Sequence, residues 1–212
     1  MGETLVLNHW LAFAAASAVL VAIPGPTVLM VISYALGHGR KATAATVAGV
    51  SLGDLTAITA SMLGVGAVLA ASAAIFTAVK LVGAFYLVYI GIKLWRAPVG
   101  DQHLAVVEEA KPDRIFWHAY WVTALNPKGV VFFVAFLPQF FDAAAPILPQ
   151  MVLFAITFVV IATLNSLLYA LMASAARQSI RKPAVQRRVN RLGGSMLIGA
   201  GVFTAAWQKA GA

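Results

Sequence analysis

The sequence has no cysteine, which excludes disulfides and thiolate metal sites. Charge is scarce as well. Asp, Glu, Lys and Arg make up 10% of the 212 residues, against about a quarter in an ordinary soluble domain. Hydrophilic runs are just as rare: the longest, about Ala97 to Arg114, leaves no room for a separate soluble domain. What remains is 61% hydrophobic, and the class that fits is an all-α polytopic membrane protein. The formal charge of +8 does not argue for nucleic acid. The basic residues lie in short loops between apolar runs, where orientation in a bilayer requires them. The first apolar run is preceded only by Glu3 and His9 as ionisable groups. Without a basic n-region, and long for a signal peptide, it reads as part of the mature protein.

Six spans can be drawn, at about 8–35, 42–71, 75–95, 116–140, 147–175 and 191–208. Each meets or approaches the ~20 residues needed to cross hydrocarbon. Trp10, Trp95, Trp117, Trp121 and Trp207 fall near span ends, where interfacial indoles belong. Loop one carries Arg40 and Lys41, loop three Arg96, Lys111 and Arg114, and loop five a basic cluster from Arg177 to Arg191. The opposite side is nearly free of basic charge, so loops one, three and five are expected in the cytoplasm and both termini outside.

The first span contains Pro24-Gly25-Pro26-Thr27. Each proline removes a backbone donor and clashes with the preceding turn, and the glycine between them is free to unwind. Broken backbone at membrane depth is tolerated only where protein or a water-filled cavity satisfies the freed groups. Asn126-Pro127-Lys128 stands at the matching place in span four. Leu81 to Gly91 resembles Arg191 to Gly201 at an offset of 110, and Asp54 in span two has a polar counterpart, Asn165, in span five. The pattern describes two inverted three-helix repeats, about 8–95 and 116–208, joined by a cytoplasmic linker at about 96–115. Helices one and four are then broken at proline, an architecture of many secondary transporters.

Asp54 is the only acidic residue well inside a span. Charge at that depth costs a few kcal/mol on insertion scales, so an embedded carboxyl is a functional candidate, here for carrying protons; a structural carboxylate capping a helix is the plainer reading. Lys128 is the other embedded charge. It can neutralise carbonyls freed upstream of Pro127, pair with Asp54, meet a substrate carboxylate, or snorkel to the interface. The half-helix starting near Pro26 offers unpaired N–H groups to a carboxylate, and the one ending near Ala22 offers free carbonyls to an ammonium group. Pro24, Gly25, Pro26, Thr27, Asn126, Pro127, Lys128, Asn165 and Tyr86 are the candidate substrate-binding residues, with Tyr89, Ser166 and Tyr169 as further embedded polar groups. Gly49, Gly53, Gly83, Gly91, Gly193 and Gly201 are candidate helix-packing positions, and such faces can also support a homodimer. The four histidines are scattered near span ends and read as interfacial, without metal spacing, and Gln139-Phe140-Phe141 reads as an outer-interface feature. No nucleophile–base constellation, phosphate loop or cofactor motif is present.

Pro24-Gly25-Pro26, Gly49…Gly53-Asp54, the Gly83 to Gly91 run and Asn126-Pro127-Lys128, in that order over about Trp10 to Trp207, resemble the LysE/RhtB amino-acid exporter family, nearer its homoserine/threonine branch. The resemblance implies export of amino acids or close derivatives across a bacterial inner membrane, driven by protons. Efflux of a metal or other small cation, or a non-transporting scaffold or lipid-handling role, are the alternatives. Lack of cysteine speaks against the first. Paired breaks and a mid-span aspartate speak against the second.

Overall fold

The structure, a computed structural model, describes residues 2–97, 111–142, 145–173 and 183–206. Its helices are α1 (Gly2–Ala22), α2 (Pro26–Ala71), α3 (Ala73–Trp95), α4 (Pro112–Ala124), α5 (Pro127–Val131), α6 (Ile147–Leu171) and α7 (Pro183–Ala206). Helix is the expected solution for such apolar segments, because it satisfies every backbone group within the segment. Among the described residues there is no strand.

Both expected breaks are present. α1 ends at Ala22, and the chain bends by 57° into the Pro26–Gly37 arm of α2. α4 ends at Ala124 and α5 restarts at Pro127. α5 runs into a π turn, Phe132–Phe136, in which the Leu137 N–H reaches back to the Phe132 carbonyl, and then a 3-10 turn, Leu137–Phe140. Pro138 explains the irregularity. It offers no N–H to the turn before it, and the Gln139 side chain instead supplies a donor to the Ala135 carbonyl at 3.0 Å.

The expected loop at 36–41 is instead helical, since α2 is continuous from Pro26 to Ala71. No proline lies there to remove a donor. Yet α2 is not straight. Thr27 and Asp54 line one small cavity, whereas a straight helix at about 1.5 Å per residue would hold them ~40 Å apart. The chain therefore doubles back inside α2, between its Pro26–Gly37 arm and the stretch Arg40–Ala67.

Four helical stretches are long and apolar enough to cross a bilayer: Arg40–Ala67, Thr77–Trp95, Pro112–Phe140 and Ile147–Leu171. The bent pair Leu7–Ala22 and Pro26–Gly37 makes a fifth. The sixth expected span falls on α7, which does not reach that mark among the described residues. Arg187, Arg188 and Arg191 at its start, and four glycines beyond, dilute its hydropathy.

Glycine lets these helices touch. A Cβ on Gly53 would lie 2.8 Å from the Tyr120 carbonyl oxygen, and one on Gly49 would collide with the Phe116 carbonyl, so α2 presses directly on the α4 backbone. α3 and α7 cross in the same way. Gly91 meets Gly194 and Ile198, while Gly201 meets Ala84 and Val88; every member of one set lies 110 residues from its counterpart in the other. Gly83 faces Ala135 in the π turn, and Gly193 faces Ile23 at the first break. Close backbone approach of this kind drives helix association where lipid offers no hydrophobic force. A phenylalanine cluster (Phe13, Phe132, Phe133, Phe136, Phe154, Phe158) fills the centre, with Phe133 and Phe158 edge-to-face at 4.6 Å.

Candidate functional site

The first break exposes carbonyls. In an unbroken helix the Leu20 carbonyl would receive the N–H of residue 24, and the Ala22 carbonyl that of residue 26. Both residues are proline. Side chains from distant helices take their place. The Lys128 ammonium donates to the Leu20 carbonyl at 3.0 Å and to the Ile23 carbonyl at 2.9 Å. Asn165 Nδ2 donates to Val21 at 3.0 Å, and the Tyr169 hydroxyl to Ala22 at 2.9 Å. Four consecutive carbonyls at the end of α1 thus each hold a side-chain donor, from α5 and α6. This fills the acceptors that a helix C-terminus leaves open, and it matters more at membrane depth, where water is scarce.

The second break caps itself. Asn126 Oδ1 accepts the Lys128 backbone N–H at 3.1 Å, and Pro127 occupies the first helical position, where no donor is needed. The other half of the Asn126 amide donates to Thr27 Oγ1 at 3.2 Å. Thr123 Oγ1 stands 3.5 Å from Thr27 Oγ1. One amide therefore both starts α5 and ties the second break to the first.

Between the breaks lies a cavity of about 40 Å³, walled by Gly25, Thr27, Asp54, Asn126, Lys128 and Asn165, together with Ser166 and apolar neighbours that include Phe158. A water needs roughly 10–15 Å³ on this measure, and ligand pockets begin near ~300 Å³. The space holds water-sized guests and is closed to an amino acid. Asp54 and Lys128 are the two ionisable side chains in its wall, and both hydrogen bonds of the Lys128 ammonium go to carbonyls. One turn before Asp54, Ser51 Oγ and Thr163 Oγ1 lie 2.7 Å apart and join α2 to α6. Two larger cavities, about 480 and 380 Å³, have no charged side chain in their walls.

The structure brings Gly25, Thr27, Asp54, Asn126, Lys128 and Asn165 to one place. Pro24, Pro26 and Pro127 shape the two breaks without lining the cavity. Tyr86 lies elsewhere: its ring is partly exposed on α3 beside Tyr89, centroids 5.9 Å apart. Lys128 does not snorkel, and the carbonyls it serves, one at the end of α1 and one in the break that follows, are not those of the turn before Pro127. His118 Nδ1 lies 2.7 Å from the Tyr34 hydroxyl. Gln139 points inward and donates to the buried Thr204 hydroxyl at 2.9 Å. Thr123 and Thr163 join the hydrogen bonds around the breaks; the only signal the sequence carries for Thr123 is its place one helical turn before Asn126. Among the described residues no group of three or more His, Cys, Asp or Glu is arranged to hold a metal ion.

Comparison with known proteins adds the following. The family model described as LysE type translocator matches residues 18–207. An "Uncharacterized membrane protein" of Vibrio cholerae is 33% identical over 199 residues, covering 94% of this chain and 97% of that protein. A "Homoserine/homoserine lactone efflux protein" of Salmonella typhi is 29% identical, over 92% of this chain and 96% of its own. A "Leucine efflux protein" of Salmonella choleraesuis is 33% identical over 142 residues, 66% of each chain. No solved structure matches.

Proposed function

The chain belongs to the LysE type translocator family, and we propose that it is a secondary transporter that exports amino acids or close derivatives from the cytoplasm in exchange for protons. The observation that carries this reading is the cavity at the meeting of two broken helices, with a carboxylate, Asp54, and an ammonium, Lys128, in its wall. Ionisable groups at membrane depth mark substrate and proton pathways, and broken helices around a midplane site are a transporter feature. Relatives named for homoserine and leucine efflux point to a small amino acid as cargo. Asp54 takes a proton from outside and releases it inside, and the amino acid moves the other way.

Six crossings as two inverted repeats accommodate this cycle. The reciprocal glycine contacts of α3 and α7 at a constant offset support that arrangement. So does the exchange of partners, in which α2 packs on α4 while α6 packs on α1. The basic residues orient both termini outside a bacterial inner membrane. Because the chain has no cysteine, Thr4→Cys and Gln186→Cys report orientation cleanly. They label from opposite faces of the membrane, and labelling from one face would overturn the six-crossing arrangement.

The reading is tested by efflux from proteoliposomes loaded with leucine, homoserine and other amino acids, with and without an imposed pH gradient. Loss of a few species only under the gradient is expected, and Asp54→Asn removes the gradient dependence. Gradient-independent retention of every amino acid by folded wild-type protein would refute it.

A further inference from the structure

The carbonyls that end α1 are suited to an ammonium ion, and a primary ammonium is bound there, belonging to the protein. The Lys128 head is 3.0 Å from the Leu20 oxygen and 2.9 Å from the Ile23 oxygen. The Asp54 carboxyl group lines the same cavity and receives neither of the Lys128 hydrogen bonds. A lysine head is a compact charge on a flexible four-carbon stem, so it has two alternative seats within one cavity, the carbonyls and the carboxylate. Gly25 leaves room beside the first: even a Cβ there would stand 3.6 Å from the Lys128 nitrogen.

We propose that the Leu20 and Ile23 carbonyls are the subsite for the cargo's primary ammonium group, that Lys128 occupies it as a tethered substitute, and that ionisation of Asp54 draws Lys128 away and opens it. The proposal rests on the exporter reading above and supplies its coupling. When Asp54 gives its proton to the cytoplasm, its new charge attracts Lys128, and the vacated carbonyls accept the cargo ammonium. When Asp54 takes a proton from outside, Lys128 loses its counter-charge, returns to the carbonyls and displaces the cargo. One proton enters for each ammonium group that leaves.

The surroundings of Asp54 keep the exchange between these two groups. Among the described residues that share its cavity, α1 contributes aliphatic side chains, α2 Thr27, and α6 Asn165 and Ser166, none of them charged. The Tyr169 phenol is engaged at Ala22. Lys128 is the one cation in the wall.

The test uses full-length protein in detergent and four probes: L-leucine, L-homoserine, isoamylamine (leucine without its carboxylate) and isocaproate (leucine without its amine). Binding is titrated from low to high pH in wild type, Asp54→Asn and Lys128→Met, and the Lys128 ammonium resonance is followed by NMR in wild type carrying 15N-lysine, assigned by its loss in Lys128→Met. Isoamylamine should bind wild type about tenfold tighter at the high-pH end, a usual size for coupling between two sites, and should shift the Lys128 resonance. Isocaproate should do neither. Lys128→Met should bind the amine tightly at every pH, and Asp54→Asn weakly at every pH. Amine binding that is independent of pH in wild type, with the Lys128 resonance unmoved by the amine, would overturn the proposal even if Lys128→Met fails to fold. Leucine exported under a gradient alongside that result would leave the exporter reading standing and sink the subsite. The expected amine pattern without binding or export of leucine or homoserine would do the reverse.

Discussion

The two breaks look alike in sequence and are built oppositely. The second is closed by its own residues: Asn126 caps the helix that Pro127 starts, through a bond spanning two positions. The first has no such device. Its prolines remove the donors for the Leu20 and Ala22 carbonyls, and the donors found there and on the two neighbouring carbonyls come from Lys128, Asn165 and Tyr169, more than a hundred residues away. A self-capped break is a fixed corner. A break capped from elsewhere changes when the neighbouring helices move, because its donors leave with them. The difference assigns the two breaks different tasks, with the second delivering a cation and the first receiving it.

The comparison predicts unequal costs. Lys128→Met leaves the Ile23 carbonyl without the ammonium and the Leu20 carbonyl with only the long 3.3 Å bond from the Ile23 N–H. Bonds to charged groups contribute about 1.5–3 kcal/mol each, and orphaned acceptors add to the loss, so about 3 kcal/mol is expected from denaturant titration in detergent. Asn126→Ala removes the local cap, worth about 1 kcal/mol, and the bond to Thr27 Oγ1, worth about another 1 kcal/mol, a loss of about 2 kcal/mol. Equal costs for the two would abolish the distinction between a remotely held break and a self-held one.

Legibility follows the same line. Proline and glycine act on their own turn, so both breaks could be read locally, and Asp54 was conspicuous as the one acid within a span. The partner of Lys128 could not be read. Its acceptors are backbone carbonyls, which carry no side-chain signature and lie 108 and 105 positions away. Tyr86 misled for a related reason: α3 is apolar all round, so periodicity cannot tell its lipid face from its inner one. The turn expected at 36–41 proved helical because nothing there removes a backbone donor, and the reversal emerges only when Thr27 and Asp54 are found on one cavity. Glycine pairs in α3 and α7 were visible as a repeat, but their reciprocal contacts required the helices to be set side by side.

The smallest effect on stability separates folding from transport at the first break. Gly25 has its φ outside the left-handed region, and an added Cβ would meet only the Lys128 side chain, at 3.6 Å from Nζ and 3.9 Å from Cε. These are ordinary contacts, so Gly25→Ala is expected to change stability by no more than about 0.5 kcal/mol, as at an undemanding site. The same methyl group narrows the space through which the ammonium leaves its carbonyls. Efflux under a pH gradient should therefore slow while the unfolding midpoint stays in place. A variant that unfolds early would mean that Gly25 serves the backbone of the break. One that is both stable and unimpaired would mean that the Lys128 head need not pass Gly25 during transport.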